Sequence, residues 1–345
     1  MEGNPLNTSH PHRFSIVTAA QVDAVLRGRE QETGQVIEEA YRLHGAGDTV
    51  NPPSAFLRFV DRPDARIIAL PASLGGAAGV DGIKWISSVP ANPAAGLPRA
   101  SAVILLNDQA TGRPVACLEG SLISAARTAA SAVLAAGRLS AHRPRPRRLG
   151  VIGAGLIARQ VVRHLTADGW DFDATRVYDT SAERAADLAA ELAAVPAMGV
   201  ATAASDAAGV LRESDLVLVA TVAGEPHLTD PRDLAHGPLV LHLSLRDFAP
   251  EVLRGAVNVV DDVDHALREG TSLQLAAQRF GTSGLVAGTL HDTLTGTLRV
   301  RDAGPVVFSP FGLGVLDLAL AAHVLARVRA AGDDTVIEDF LPHRP

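Results

Sequence analysis

The stretch RRLGVIGAGLIARQ, residues 147–160, followed by RVYD at 176–179, decides the reading of this chain. A charged turn leads into the apolar run 149–152, which reads as a strand. Gly153, Ala154 and Gly155 then turn the chain, and a helix-forming segment follows. A second short strand, 176–178, closes on Asp179. Strand, Gly-x-Gly-x-x-Ala, helix, strand, acid is the order of a dinucleotide-binding βαβ unit. Gly153 permits the tight turn. Gly155 lets the backbone approach a pyrophosphate, whose charge then meets free N–H groups at the helix start. Leu156 and Ile157 follow in the first helical turn, and the small Ala158 allows close packing on the strand. Asp179, about 20 residues beyond the glycines, is placed to accept hydrogen bonds from ribose hydroxyls. A 2′-phosphate there meets a carboxylate, so NAD rather than NADP is the expected cofactor.

A chain of 345 residues suits two domains better than one core. Its apolar share of 47% is ample, and only 4% of the chain is aromatic, so alanine-rich packing is expected. A formal net charge of −7 gives no support to nucleic-acid binding. The one basic cluster, RPRPRR at 143–148, reads as a solvated hinge. The single cysteine, Cys117, excludes an internal disulfide and sits among apolar neighbours as a small buried thiol. The twelve histidines form no HExxH and no compact ligand set, so no metal is expected. No signal-peptide pattern opens the chain and no apolar run reaches membrane-spanning length. The expectation is a cytoplasmic protein without a membrane partner.

The patterning predicts an α/β protein: a Rossmann domain joined to an α+β domain built from both chain ends. Polar residues 1 to about 13 read as loose. The first domain, 14–137, contains strand-like runs in SIVTAA, SAFLRF, ARIIALPASL, GIKWISS, ASAVILLND and PVACLEG, then a helix over about 120–137. The nucleotide domain is expected at 146–305. Its further strands, DLVLVATVAG, PLVLHLSLRD and AVNVVDD, are nearly continuous apolar runs, as in a sheet covered on both faces. Residues 306–330 read as a strand end, a glycine turn and a long helix that returns to the first domain.

Several polar residues interrupt these runs. Lys84, between Ile83 and Trp85 at the end of a strand, is a candidate proton carrier if desolvation lowers its pKa. Arg127, in the alanine-rich SAARTAAS, offers a fork for a substrate carboxylate or else a surface charge. Ser124 and Ser131 share its helix face. Arg58, Arg99 and Arg246 are further candidates for an anionic amino-acid substrate. Asp247 follows a Rossmann strand, where a carboxylate faces the ligand crevice or else caps the next helix. Thr221, Val222 and Ala223, in TVAGEPH, belong to a strand-end loop expected to cover the nicotinamide.

Taken together, GIKWISS, GLPRASAVILLND, TGRPVACLEGSLISAARTAAS, GVIGAGLIARQ, VYD, LHLSLRDFAPEVL and FSPFGLGVLDLA resemble the ornithine cyclodeaminase/mu-crystallin family. The resemblance spans about residues 50 to 325. It implies a catalytic lysine at Lys84, a carboxylate-binding arginine at Arg127, a catalytic aspartate at Asp247 that positions water, and a homodimer formed through the first domain. The chain departs from ordinary cyclodeaminases in reading SLRDFAPEVL where they carry Gly-x-Asp-x-Pro-Gly-Lys. It also places Pro310 where they use serine. The first-domain segments are similar to the family's siderophore and antibiotic branch. That branch implies NAD-dependent cleavage of a tricarboxylate amine to L-2,3-diaminopropionate and 2-oxoglutarate. Ornithine cyclodeamination, alanine or ketimine reduction, and a non-catalytic NAD-binding crystallin role are the alternatives.

Overall fold

The computed structural model describes residues 13–300 and 304–342. The loose segment expected at the N-terminus lies outside them, except for Arg13. By its contacts the described chain forms two compact units. Residues up to Arg127, with those from Leu313 onward, make one, and Thr128–Gly312 makes the other.

The first unit opens with β1 (Phe14–Val17), α1 (Ala19–Leu26) and α2 (Glu30–Gly45). It continues through β2 (Thr49–Val50), β3 (Ala55–Arg58), β4 (Arg66–Leu74), β5 (Val80–Ser88), β6 (Ala100–Asp108) and β7 (Pro114–Glu119). β4, β5 and β6 form an antiparallel meander in which Lys84 stands opposite Leu70 and Ile104. Lys84 therefore lies in the middle of β5, not at its end. The two-residue repeat of a strand puts Val80, Gly82 and Lys84 on one face and Trp85 on the other. Val80 and Lys84 are buried, whereas Trp85 is exposed. The buried face is covered by the terminal helix Gly314–Ala331, which packs on α2, β4, β5 and β6. Residues 314–325 of that helix are buried apart from His323, and all but Asp317 of the buried ones are apolar or glycine, as a helix segment buried on every side requires. Gly82 is required for its approach: a Cβ there would lie 2.2 Å from the Leu105 carbonyl oxygen and 3.1 Å from Leu318.

α3 (Ser121–Ser140) follows β7. The domain boundary expected between 137 and 146 falls instead inside α3, which runs unbroken from one unit into the other. The second unit comprises β8 (Arg148–Ile152), α4 (Leu156–Ala167), β9 (Ala174–Tyr178), β10 (Val200–Ala203), β11 (Leu216–Val219) and β12 (Leu239–His242). It is completed by β13 (Val257–Val260), β14 (Val286–Thr289) and β15 (Val306–Phe308). Its all-parallel sheet has the order β10-β9-β8-β11-β12-β15-β13-β14. The chain winds outward from β8 in both directions, creating a topological switch point at the β8–β11 pair. Residues 306–308 were expected with the returning helix, but β15 inserts between β12 and β13. A three-residue strand shows no periodicity, and its pairing is entirely long-range. A final strand, β16 (Thr335–Ile337), pairs antiparallel with β1 in the first unit.

Candidate active site

In the second unit, Asp247 follows β12 through a turn at Ser244, Leu245 and Arg246. Leu245 has φ of 75°, a conformation rarely adopted by a branched side chain. Its carbonyl accepts from the Ser272 N–H at 2.7 Å, which holds the turn. Asp247 is thereby folded back towards the strand end and has no exposed surface. Its Oδ2 accepts from Ser244 Oγ at 2.5 Å and lies 3.0 Å from His242 Nε2. Its Oδ1 accepts from Thr221 Oγ1 and lies 3.1 Å from His227 Nε2. His242 is itself buried, with Nδ1 3.1 Å from Ser309 Oγ and its ring against the edge of Phe248. Burial opposes ionisation of Asp247, but hydrogen bonds from His227, His242 and Ser244 outweigh it and hold the carboxyl far below its ordinary range. Asp247 does not cap the following helix, whose N-cap is Ala249 without a side-chain bond. Direct contact between Asp247 and water would require one of its four side-chain partners to move. Arg246 does not neutralise it, because its Nη2 reaches the Glu269 carbonyl.

In the first unit, Lys84 Nζ donates to Asp317 Oδ2 at 2.6 Å and Ser124 Oγ at 3.1 Å. Arg127 Nε donates to Asp317 Oδ1 at 3.0 Å. All three charges are buried. Burial lowers the Lys84 ammonium to about 8, with Arg127 adding to the effect and Asp317 opposing it. Burial works against the Asp317 carboxylate, yet Arg127 and Lys84 together hold it below the ordinary range. Lysine thus becomes a group that exchanges a proton near neutral pH while its carboxylate partner stays ionised. Arg127 is not a surface charge, and Ser131 on its helix is likewise buried. Arg99 Nη1 donates to Ser88 Oγ at 2.7 Å, and Arg58 lies 4.9 Å over the Phe56 ring.

The glycine turn has the shape needed for a dinucleotide. Gly153 has φ of 98°, and a Cβ there would meet the Ala220 carbonyl oxygen at 2.5 Å. Around Gly155, the N-cap of α4, a Cβ would meet nothing within 4 Å, so the helix start is open to an anion. Ala158 is buried, while Leu156 and Val222 are exposed apolar side chains near the ends of β8 and β11. Asp179 is more engaged than its sequence position suggests. Its Oδ2 accepts from the Ala154 N–H at 2.9 Å, and its Oδ1 accepts from the Ser181 N–H and from Arg184 Nη2 at 2.7 Å. Thr221 serves the Asp247 cluster and also accepts from the Ala223 N–H at 3.1 Å.

The sequence reading missed Asp317, although a lone acid in the apolar run GVLDLALAA is a visible signal. It also missed His227 and Ser244 as partners of Asp247, and Ser309 as a partner of His242; of these only Ser244 lies close in sequence to the group it meets. His242 was read only as a packed histidine. Among the described residues no group of His, Cys, Asp and Glu is arranged to hold a metal ion, and no helix is long and apolar enough to cross a membrane. Cys117 is half-buried, and burial raises its thiol pKa.

A parallel sheet with a glycine turn at its topological switch point places the second unit among the dinucleotide-binding Rossmann domains. The chain belongs to the ornithine cyclodeaminase/mu-crystallin family, whose model matches residues 15–332. It is 29% identical to N-((2S)-2-amino-2-carboxyethyl)-L-glutamate dehydrogenase of Staphylococcus aureus, over 87% of this chain and 91% of the relative. The fold matches Thermococcus litoralis Delta(1)-pyrroline-2-carboxylate reductase, solved with NADH and L-proline. The TM-score is 0.85 at 23% identity, covering 94% of this chain and all of that one. An archaeal alanine dehydrogenase dimer with bound NAD matches with a TM-score of 0.84 at 24% identity, over 95% of this chain and 100% of that one.

Proposed function

We propose that this protein is an NAD-dependent oxidoreductase that cleaves N-((2S)-2-amino-2-carboxyethyl)-L-glutamate to L-2,3-diaminopropionate, 2-oxoglutarate and NADH. Such a product would feed siderophore or nonribosomal peptide antibiotic assembly. The observation that carries this reading is the buried Lys84–Asp317–Arg127 cluster, with its lysine lowered to about 8 beside a guanidinium. The full-length similarity to the staphylococcal dehydrogenase supports the choice of substrate.

Gly153, Ala154, Gly155, Leu156, Ile157 and Asp179 would hold NAD, with Thr221, Val222 and Ala223 near its nicotinamide end. NAD bound there would supply the hydride acceptor for oxidation at the glutamate Cα. Lys84 takes the proton of the substrate's secondary ammonium, leaving the neutral amine from which hydride loss is feasible. Asp317 keeps Lys84 in place and neutralises Arg127 in part. Arg127, assisted by Arg58 and Arg99, binds carboxylates and orients the Cα–H bond. The Asp247 cluster serves the later addition of water to the C=N carbon. We assign a homodimer, in keeping with the closed symmetry common to soluble oligomers and with the dimeric archaeal relative.

Absorbance at 340 nm with candidate amines, combined with mass detection of products, tests the reading. The expected result is one NADH per 2-oxoglutarate and diaminopropionate from the tricarboxylate amine. Turnover of ornithine to proline without NADH accumulation, or of alanine alone, overturns it.

A further inference from the structure

His227 occupies a singular place in the Asp247 cluster. The other three side chains on that carboxylate belong to Thr221, His242 and Ser244, and His242 is buried. The His227 side chain is 39% exposed, yet its Nε2 lies 3.1 Å from Asp247 Oδ1. Its backbone is fixed by the same residue, since the N–H groups of His227 and Leu228 both donate to the Asp247 carbonyl at 2.9 Å. The parallel bridge between Leu228 and Phe248 clamps the two segments side by side. An ionised carboxylate on Nε2 selects the tautomer with the proton there, leaving Nδ1 as a lone-pair base. Nδ1 has no hydrogen-bond partner among the described residues. The constellation is a carboxylate-oriented imidazole on a partly exposed side chain, the arrangement that a general base requires.

We propose that His227 is the general base and acid of C=N hydrolysis, and that Asp247 acts on water through it. This inference rests on the oxidative cleavage proposed above. After hydride loss the substrate carries an iminium carbon. A water oxygen bonds to that carbon while one water proton passes to His227 Nδ1, giving a carbinolamine and an imidazolium. The imidazolium returns that proton to nitrogen. As the C–N bond breaks, its electron pair leaves with nitrogen. The hydroxyl proton passes to Nδ1 and then to the freed amine. The products are a ketone and an ammonium ion, and His227 ends neutral. Asp247 remains ionised throughout and keeps the proton on Nε2. This division of labour accounts for a carboxylate that is both fully buried and fully hydrogen-bonded.

The test compares wild type with His227→Gln, His227→Ala and Asp247→Asn, each with NAD and N-((2S)-2-amino-2-carboxyethyl)-L-glutamate. Stopped-flow absorbance follows NADH, and quenched samples follow 2-oxoglutarate. The first NADH turnover should stay within about threefold of wild type in both His227 variants. Release of 2-oxoglutarate should fall by about 10²-fold, the usual scale for a positioned acid–base group. Added imidazole should restore 2-oxoglutarate release in His227→Ala but not in Asp247→Asn. Parallel release of both products at wild-type rates in His227→Gln overturns the proposal, as does failure of imidazole rescue. Long-range ¹H–¹⁵N NMR of the imidazole supplies a readout independent of turnover. The expected tautomer is Nε2–H in the wild type, with the preference lost in Asp247→Asn. An unprotonated Nε2 in the neutral wild-type ring overturns the proposal whatever the substrate. A wild type inert to this amine overturns the substrate reading instead, and the tautomer then judges the His227–Asp247 pair alone.

Discussion

Lys84 Nζ and Asp317 Oδ2 stand 2.6 Å apart, joining the middle of a central strand to the first turn of the terminal helix. Both are buried, and Arg127 shares the same carboxylate. Removing the shared anion strands two cations in the interior. Removing one cation leaves the other paired. Asp317→Ala is therefore expected to destabilise the protein by about 3 kcal/mol or more, the scale of a broken buried ion pair. Lys84→Met should cost less, because it replaces a buried charge with an apolar chain of similar length. Urea unfolding midpoints of the two variants check the order.

The lowered Lys84 also gives stability a pH dependence. Its folded value is about 8, against an ordinary 10.5. Between these limits the unfolded chain binds more protons than the folded one, so this group's contribution makes stability rise with pH. Below about 8 both states are protonated and the penalty for burying the charge is constant. Unfolding free energies measured from pH 7 to 10.5 should show the wild type gaining stability relative to Lys84→Met as pH increases. A wild-type advantage that stays constant or shrinks across that window contradicts the assignment.

Cofactor choice turns on Asp179, whose carboxylate is shared among Ala154, Ser181 and Arg184. Burial opposes its ionisation, but these partners hold it below the ordinary carboxylate range, so a 2′-phosphate would meet a full negative charge. Asp179→Ser should weaken NAD binding and also release Arg184 towards a phosphate. The expected result is a preference for NAD in the wild type that narrows or reverses in the variant. Fluorescence titration with both reduced cofactors checks it, and Arg184→Ala in the Asp179→Ser background should undo any gain for NADP.

The strand-end turn shows where sequence was legible and where it was not. The continuous apolar runs marked β8, β11, β12 and β13, because a doubly covered parallel sheet tolerates little else. The glycine turn was legible because a Cβ at Gly153 would strike the Ala220 carbonyl. Lys84, Arg127 and Asp247 stood out as charges in apolar surroundings. Asp317 was visible as a lone acid in an apolar run, but its pairing with Lys84 and Arg127, like that of His227 with Asp247, arises through tertiary packing that no local period records. β15 was read as a strand end, but its place between β12 and β13 was hidden for the same reason. Leu245 combines the two cases: the family pattern puts glycine two residues before the aspartate, and this chain puts leucine there with φ of 75°. Leu245→Gly should relieve strain and leave stability unchanged or raised by up to about 1 kcal/mol, despite the entropy cost of glycine. Thermal melts against a Leu243→Gly control, which should be destabilised, check this.

The two charged clusters should fail in different ways. Lys84→Ala removes the proton acceptor that precedes hydride loss, so NADH and 2-oxoglutarate should fall together, by about 10²-fold or more. Asp247→Asn leaves Lys84 untouched but replaces an acceptor with a group that faces hydroxyl and imidazole donors. Its first NADH turnover should persist while 2-oxoglutarate lags. Arg127→Lys keeps a positive charge beside Asp317 but loses the planar fork. Its main effect should be a raised KM, because a carboxylate clamp acts in the ground state as well as in the transition state. A smaller loss in kcat should accompany it, since a poorly held substrate presents Cα–H off line. NAD affinity should change little in all three, because none is assigned to the dinucleotide. Purified variants assayed with the tricarboxylate amine, with NADH and 2-oxoglutarate followed in the same reaction, provide the measurement. Near-normal turnover in Lys84→Ala would remove the lysine from the mechanism, and loss of both products in step in Asp247→Asn would move that carboxylate to the oxidation step.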